Sequence, residues 1–409
     1  MRIFRQLCLA TALVAVAPAM AAAEMKAEVL HWWTSAGESA SIKVFADEFN
    51  REGGTWVDTA IAGGTNARTA GINRIAGGNP PTVMQFNTGR QFDELVANGL
   101  LRPLDDIATA GGWKNVLPPT IVQAISRDGH IYAIPVNIHG QNWLWYNTKA
   151  FQDAGVAPPA NFDDLIAAAP KLREKGIIPL GQSGVPNYER ILFDAVLLSK
   201  AGGKIFQSVY GDVNVDAAAG PEFRAAADTF AKLRDLTDPG SPGRNWNDTT
   251  GLVITGKAAT QVVGDWAKGE FIAAGMTPGK EYGCAVLPGG FLIGGDVFVV
   301  PKINDAAATA AQTKMAELVM SPPMQIAFST KKGSVPVRTD VDVSGMDLCA
   351  QKGMAQLRDP AMQVPSINLL SSPDLVGATM DVITQFWNSK DMTTDDFVKK
   401  FVGAMKAAS

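Results

Sequence analysis

The 409-residue sequence predicts an α/β fold of two lobes, each a mainly parallel sheet flanked by helices, joined by a multi-segment hinge. Three observations predict it. Strand-like and helix-like segments alternate from the start; the alternation stops near residues 130–147 and again at 284–302, where long extended stretches contain no helix; and a second alternating series lies between those stretches.

In the first series, "AEVLHWW" reads as a strand, followed by a helix through "ESASIKVFADEFNRE" in which Ile42, Phe45 and Phe49 recur at helical spacing. "TWVDTAIAG" alternates like a half-buried strand with Val57, Thr59 and Ile61 on one face. A helix through "NARTAGINRIAGG" ends in glycines, "PPTVMQFN" is the next strand, and "QFDELVANG" is a short helix closed by Gly99. The first break, "HIYAIPVNIHGQNWLWYN", carries a proline and no helical period. The second series runs through "NFDDLIAAAPKLREKG", "IIPLGQSG", "ERILFDAVLLSKAGG", "PEFRAAADTFAKLRDL" and "AATQVVGDWAKG". "CAVLPGGFLIGGDVFVVPK" is the second extended crossing and "GSVPVRTD" a third. The expected division is residues 24–135 plus 290–337 for one lobe and 136–289 plus 338–409 for the other.

Residues 1–23 read as an export signal. Arg2 and Arg5 form a basic start, Leu7 to Ala17 an apolar core, and Ala21-Ala22-Ala23 a small-residue cleavage site. The apolar run is too short to span a bilayer, which takes roughly 20 residues. Cys8 lies within that core and is expected to leave with it. The remaining chain is expected in a bacterial periplasm, and its formal charge moves from −4 to −6 without the two arginines. Mild acidity argues against nucleic acid as a partner. Cys284 and Cys349 remain, and an oxidising compartment favours pairing them, with two buried thiols as the alternative.

Enzymatic motifs are sparse. Only His31, His130 and His139 are present, without H-E-x-x-H or paired C-x-x-C spacing for zinc. "GQSGV" around Ser183 lacks the second glycine of a nucleophile elbow. "AGGTNARTAG" has neither the Lys-Ser/Thr ending of a phosphate loop nor G-x-G-x-x-G spacing, so no nucleotide cofactor is expected. A pair of carboxylates for glycoside hydrolysis stays open at this level, with Glu38 and either Asp265 or Asp296 as candidates.

Aromatic and amide placement is more informative. Of nine tryptophans, Trp32 and Trp33 end the first strand, where ligands of open α/β sheets bind. Adjacent strand residues face opposite ways, so one of the two is expected beneath the loop and the other toward a cleft. Trp266 follows Gly264-Asp265 in the other lobe, while Trp143 and Trp145 share a side of the first crossing and read as packing. Glu38, Gln85, Asn87, Asn137, His139, Asp296 and Lys332 lie near expected strand ends. A flat ring with polar groups that donate and accept suits the apolar face and hydroxyl belt of a pyranose. Alternative roles are an acid at a helix N-terminus for Glu38, and backbone satisfaction in the hinge for Asn137 and His139.

"VLHWWTSAGES", "IPVNIHGQNWLWYN", "VVGDWAKGEF", "GGDVFVVPK" and "KKGSVPVRTD" occur in one order and spacing. Together they resemble periplasmic sugar-binding proteins of ATP-binding-cassette importers, of the glucose/mannose-binding type within the large extracellular solute-binding family. The resemblance spans essentially the whole exported chain. It implies a non-enzymatic monomer without cofactor that binds a monosaccharide, a glucose-like hexose, and hands it to a membrane permease; a chemoreceptor is a further partner of such proteins. A polyol, a pentose or a short oligosaccharide is the alternative ligand. By position, Trp32, Trp33 and Glu38 match first-loop residues that meet the sugar and Trp266 the aromatic of the other lobe. Gln85, Asp296 and Lys332 match polar contacts, with Asn87, Asn137 and His139 beside them. The resemblance also implies the Cys284–Cys349 pair. One departure is visible: glucose-type relatives carry a histidine in the segment corresponding to "VPSINLLSSP", where Asn368 is the nearest polar residue.

Overall fold

The computed structural model describes residues 25–408; the expected signal, with Cys8, lies outside the described residues. The first sheet has six strands. β1 (Lys26–His31) pairs in parallel with both β2 (Thr55–Ala60) and β3 (Val83–Asn87). The helices Ala36–Arg51 and Gly64–Ala76 make the parallel crossovers. Ile42, Phe45 and Phe49 form the buried stripe of the first helix, as their spacing predicts. Ser126–Arg127 (β4) and His130–Ile131 (β5) make a small separate hairpin. The sheet continues through β6 (Ala133–Gly140).

A second, four-stranded sheet contains β7 (Trp143–Asn147), β8 (Ile178–Gly181), β9 (Ala258–Val262) and β10 (Tyr282–Val286) in the order β10-β7-β9-β8. The chain then returns to the first sheet in β11 (Phe291–Val299), which is buried along its whole length and antiparallel to β3 and β6. β12 (Gln363–Pro365) closes that sheet beside β11. Both sheets therefore mix the two senses: β1 with β2 and β3, β11 with β12, and β8 with β9 are parallel, while β11 with β3 and β6, and β7 with β9 and β10, are antiparallel. The reason is the extended crossings: a chain that passes between lobes without a helix comes back antiparallel. β6 lies in the first sheet over all eight residues, so the boundary expected at 135/136 falls inside a strand. We place the lobe division instead at the turns 141–142 and 287–290, where the chain leaves one sheet for the other.

Helices cover the second sheet, and several begin with proline at the first helical position: Pro186–Tyr210, Pro221–Arg234 and Pro373–Asn388. Proline there gives up no hydrogen bond and its fixed φ suits the first turn. The second core is aromatic, with Phe193 edge-on to Phe223, Phe230 and Phe397. Ser183 sits in an ordinary loop, its hydroxyl donating to the Arg244 carbonyl at 2.7 Å.

One buried side chain joins two crossings. The Asn142 amide donates to the carbonyls of Leu287 (3.1 Å) and Gly290 (2.9 Å) and accepts from the Leu292 N–H at 2.9 Å. At Gly289 φ is +100°, and a Cβ there would meet the Leu198 carbonyl at 2.1 Å, so the crossing passes only as glycine. The third crossing touches the first through Val335, whose N–H and carbonyl both bond Ile138 at 2.9 Å. Cys284 on β10 is disulfide-bonded to Cys349 in the helix Leu348–Arg358, closing 65 residues of chain.

Candidate ligand-binding site

β1 ends at His31, and the two tryptophans after it part company. Trp33 is 1% exposed, packed against Phe298 and Phe328 at centroid distances of 5.8 and 5.4 Å. It packs in the core, where the strand's two-residue period turns it under the loop. Trp32 takes the other side and is half-buried. Its backbone N–H donates to Gln85 Oε1 at 2.9 Å, and the Arg68 guanidinium lies 5.5 Å from its ring centroid. His31 is fully engaged, Nδ1 accepting from the Trp33 N–H (3.2 Å) and Nε2 facing Asp58 at 2.7 Å.

Glu38 is the acid at a helix N-terminus, one of the readings its position offers. It closes a capping box with Ser35, the Ser35 hydroxyl donating to Glu38 Oε2 at 3.1 Å. Its other oxygen, Oε1, faces the Lys332 ammonium at 3.4 Å. Lys332 is the last residue of the helix Pro322–Lys332, and both partners are buried.

Below them lies a floor made by register. Asp296 on β11 is opposite Asn87 of β3 and Asn137 of β6, and the two-residue period adds Gln85 and His139 to the same face. A bulge at Asp296/Val297 lets β6 skip a residue there, and the Asn137 side chain accepts the Asp296 N–H at 2.9 Å. Asp296 Oδ1 accepts from Gln85 Nε2 at 3.1 Å and from Asn87 Nδ2 at 3.3 Å. Its Oδ2 faces His139 Nε2 at 2.9 Å. The other ring nitrogen of His139 bonds Asp265, whose second oxygen accepts from the Gly140 N–H at 2.9 Å. His139 is thus held between a carboxylate of each sheet's lobe.

Burial alone would drive His139 to its neutral form, but the two carboxylates outweigh it and raise its pKa above the usual value. Burial likewise works against an ionised Asp296, yet the His139 charge, its hydrogen bond, Lys332 and Gln85 together hold its pKa below the ordinary range. The floor is therefore charged and internally compensated. Asp265 and Asp296 are both held on His139.

The roof is Trp266, the residue preceding the helix Ala267–Ala273. Its ring meets the His139 ring edge-on at 5.0 Å, and its indole N–H is buried with no partner among the described residues. Of the expected residues, Trp32, Glu38, Gln85, Asn87, Asn137, His139, Asp296, Trp266 and Lys332 are brought together. The Asn368 carbonyl packs on the loop after β3, where a Cβ on Gly89 would come within 2.0 Å of it. Trp143 and Trp145 stack on each other at 5.4 Å, both buried, and act as packing. Sequence reasoning missed Arg68 and Tyr188. The Tyr188 hydroxyl is pushed upward in pKa by burial and then by the charge of Glu38. Neither residue belongs to a motif, so no sequence signal marks them.

Two α/β lobes joined by extended crossings, with polar and aromatic side chains of both lobes meeting between them, define the two-lobed class of this fold. The chain belongs to the bacterial extracellular solute-binding protein family, whose profile matches residues 32–318. It is 36% identical to a "Probable sugar-binding periplasmic protein" of Brucella suis over 97% of this chain and 96% of that one. It is also 36% identical to a protein of the same name in Rhizobium meliloti, over the full length of both. Among solved structures, a chitin oligosaccharide binding protein superposes with a TM-score of 0.79 at 19% identity, covering 94% of this chain and 99% of that one, a likeness of fold.

Proposed function

We propose that this chain is the periplasmic sugar-binding component of an ATP-binding-cassette importer, that it takes a monosaccharide of the glucose-like hexose type between its lobes, and that it passes the sugar unaltered to membrane permease subunits. The relatives at 36% identity carry the sugar-binding and periplasmic description. The observation that carries the reading is the pairing of Trp266 with the charged floor. Trp266, with its unpartnered indole N–H, meets the His139 ring, and His139 in turn bonds Asp296, so a sugar seated beside them finds an apolar surface, a donor and a carboxylate within one cluster.

A pentose is the second reading, favoured by 27% identity over 86% of the chain to a protein named "Xylose/arabinose-binding protein" from Haloferax volcanii. Thermal-shift and calorimetric titration against hexoses, pentoses, polyols and disaccharides separates them. A glucose-like hexose is expected to raise the melting temperature most; a larger shift with xylose or arabinose would give the site to pentoses. No shift with any saccharide would end the sugar reading.

A further inference from the structure

Three helix ends meet beside the floor: the N-terminus of Ala36–Arg51, which carries Glu38; the C-terminus of Pro322–Lys332, which ends in Lys332; and the N-terminus of Ala267–Ala273, preceded by Trp266. The first two belong to the lobe of the six-stranded sheet, where Phe45 stacks on Phe328 at 4.6 Å. The third is anchored on the four-stranded sheet, with Phe271 stacked on Tyr282 at 4.3 Å and tilted against Trp145 at 6.0 Å.

Across this junction the Glu270 carboxylate accepts the backbone N–H of Gly37 at 2.9 Å, over a separation of 233 residues. Gly37 lies in the first turn of its helix, where N–H groups have no partner within the helix and the positive end of the helix dipole favours an anion. Ser35 satisfies the Glu38 N–H, and the carboxylate of the opposite lobe satisfies that of Gly37. Among the described residues, Glu270 has no cation within ion-pair distance, so this helix end is its polar partner. The contact depends on bare backbone. A Cβ on Gly37 would stand 2.5 Å from the carbonyl carbon of Gly269, and one on Gly269 would stand 3.0 Å from the Lys331 oxygen.

We propose that Glu270 is a positioning residue that clasps the two lobes: it caps, from one lobe, the helix of the other lobe that presents Glu38, and so sets Glu38, Lys332 and Trp266 in register for the ligand. Without it the helix end is solvated by water and the lobes separate more readily, so the ligand has to close a wider gap. The inference about ligand affinity rests on the sugar reading; the inference about lobe separation does not.

Small-angle X-ray scattering of ligand-free wild-type protein, Glu270→Ala, Glu270→Gln and Gly37→Ala tests the clasp directly. Glu270→Ala and Gly37→Ala are expected to increase the radius of gyration, the first by losing the acceptor and the second by wedging the backbones apart. Glu270→Gln keeps an acceptor and is expected to stay near wild type. Titration with the sugar that gives the largest thermal shift is expected to show about tenfold weaker binding for Glu270→Ala, largely restored in Glu270→Gln. A Glu270→Ala protein with wild-type scattering overturns the clasp, even if it melts earlier, because a purely local cap would do no more. Wild-type affinity in that variant overturns the positioning role. If no saccharide binds wild type, the sugar reading fails while the scattering still decides the clasp.

Discussion

The His139 imidazole and the Asp296 carboxylate meet at 2.9 Å, Nε2 to Oδ2, with both side chains buried at the floor of the cleft. A buried pair of this kind contributes little net stability over an apolar one, yet removal of one partner leaves an uncompensated charge and costs about 3–5 kcal/mol. Asp296→Asn is therefore expected to lower the unfolding free energy by about 3 kcal/mol in urea denaturation, and to abolish ligand-induced stabilisation. Retention of both would show that Asp265 alone satisfies His139.

The same pair sets a pH window. His139 has its folded pKa raised above the ordinary 6.5, so its contribution is complete below about pH 6.5 and is lost as pH rises through the folded value. Asp296 has its folded pKa lowered beneath 3.8, so its contribution is present above about pH 3.8 and is lost as pH falls through the folded value. Both terms are complete between about pH 4 and 6.5. Melting curves of wild type and His139→Gln from pH 5 to 10 are expected to converge at the alkaline end, as wild type loses an advantage of up to about 1.4 kcal/mol per pH unit. Parallel curves would mean that the pKa of His139 is the same in the folded and unfolded chain.

The disulfide predicts a redox-dependent stability. Closing 65 residues restricts the unfolded chain by about 4 kcal/mol in the loop-entropy description. Native exported protein is expected to show no free thiol on labelling, and reduction should lower its melting temperature while leaving ligand-free secondary structure in place. Two labelled thiols in unreduced protein would contradict the bond.

Much of this site was legible locally and little of it across distance. The two-residue period separated Trp32 from Trp33, and the Ile42, Phe45 and Phe49 stripe located the helix bearing Glu38. The extended stretches at 130–147 and 284–302 marked the crossings, but their antiparallel return, and so the mixed sheets, follows from pairing partners that no local pattern specifies. Asp265 reaches His139 over 126 residues, which no spacing rule anticipates.

The sharpest test of the proposed site is the tryptophan pair after β1, because Trp33 is packed in the core while Trp32 is half-buried on the other side. Trp33 fills a site between Phe298 and Phe328, so Trp33→Ala opens a cavity and is expected to cost about 3–5 kcal/mol of stability. Trp32 is half-buried under Arg68, and its loss removes a cation–π contact of about 0.5–1 kcal/mol together with little core volume. Trp32→Ala is thus expected to remain folded near the wild-type melting temperature while binding sugar about 1–3 kcal/mol more weakly. The two variants should separate stability from affinity. A Trp32→Ala protein with unchanged affinity would move the aromatic contact to Trp266 alone, and an equally stable Trp33→Ala would deny the packing role that its 1% exposure assigns.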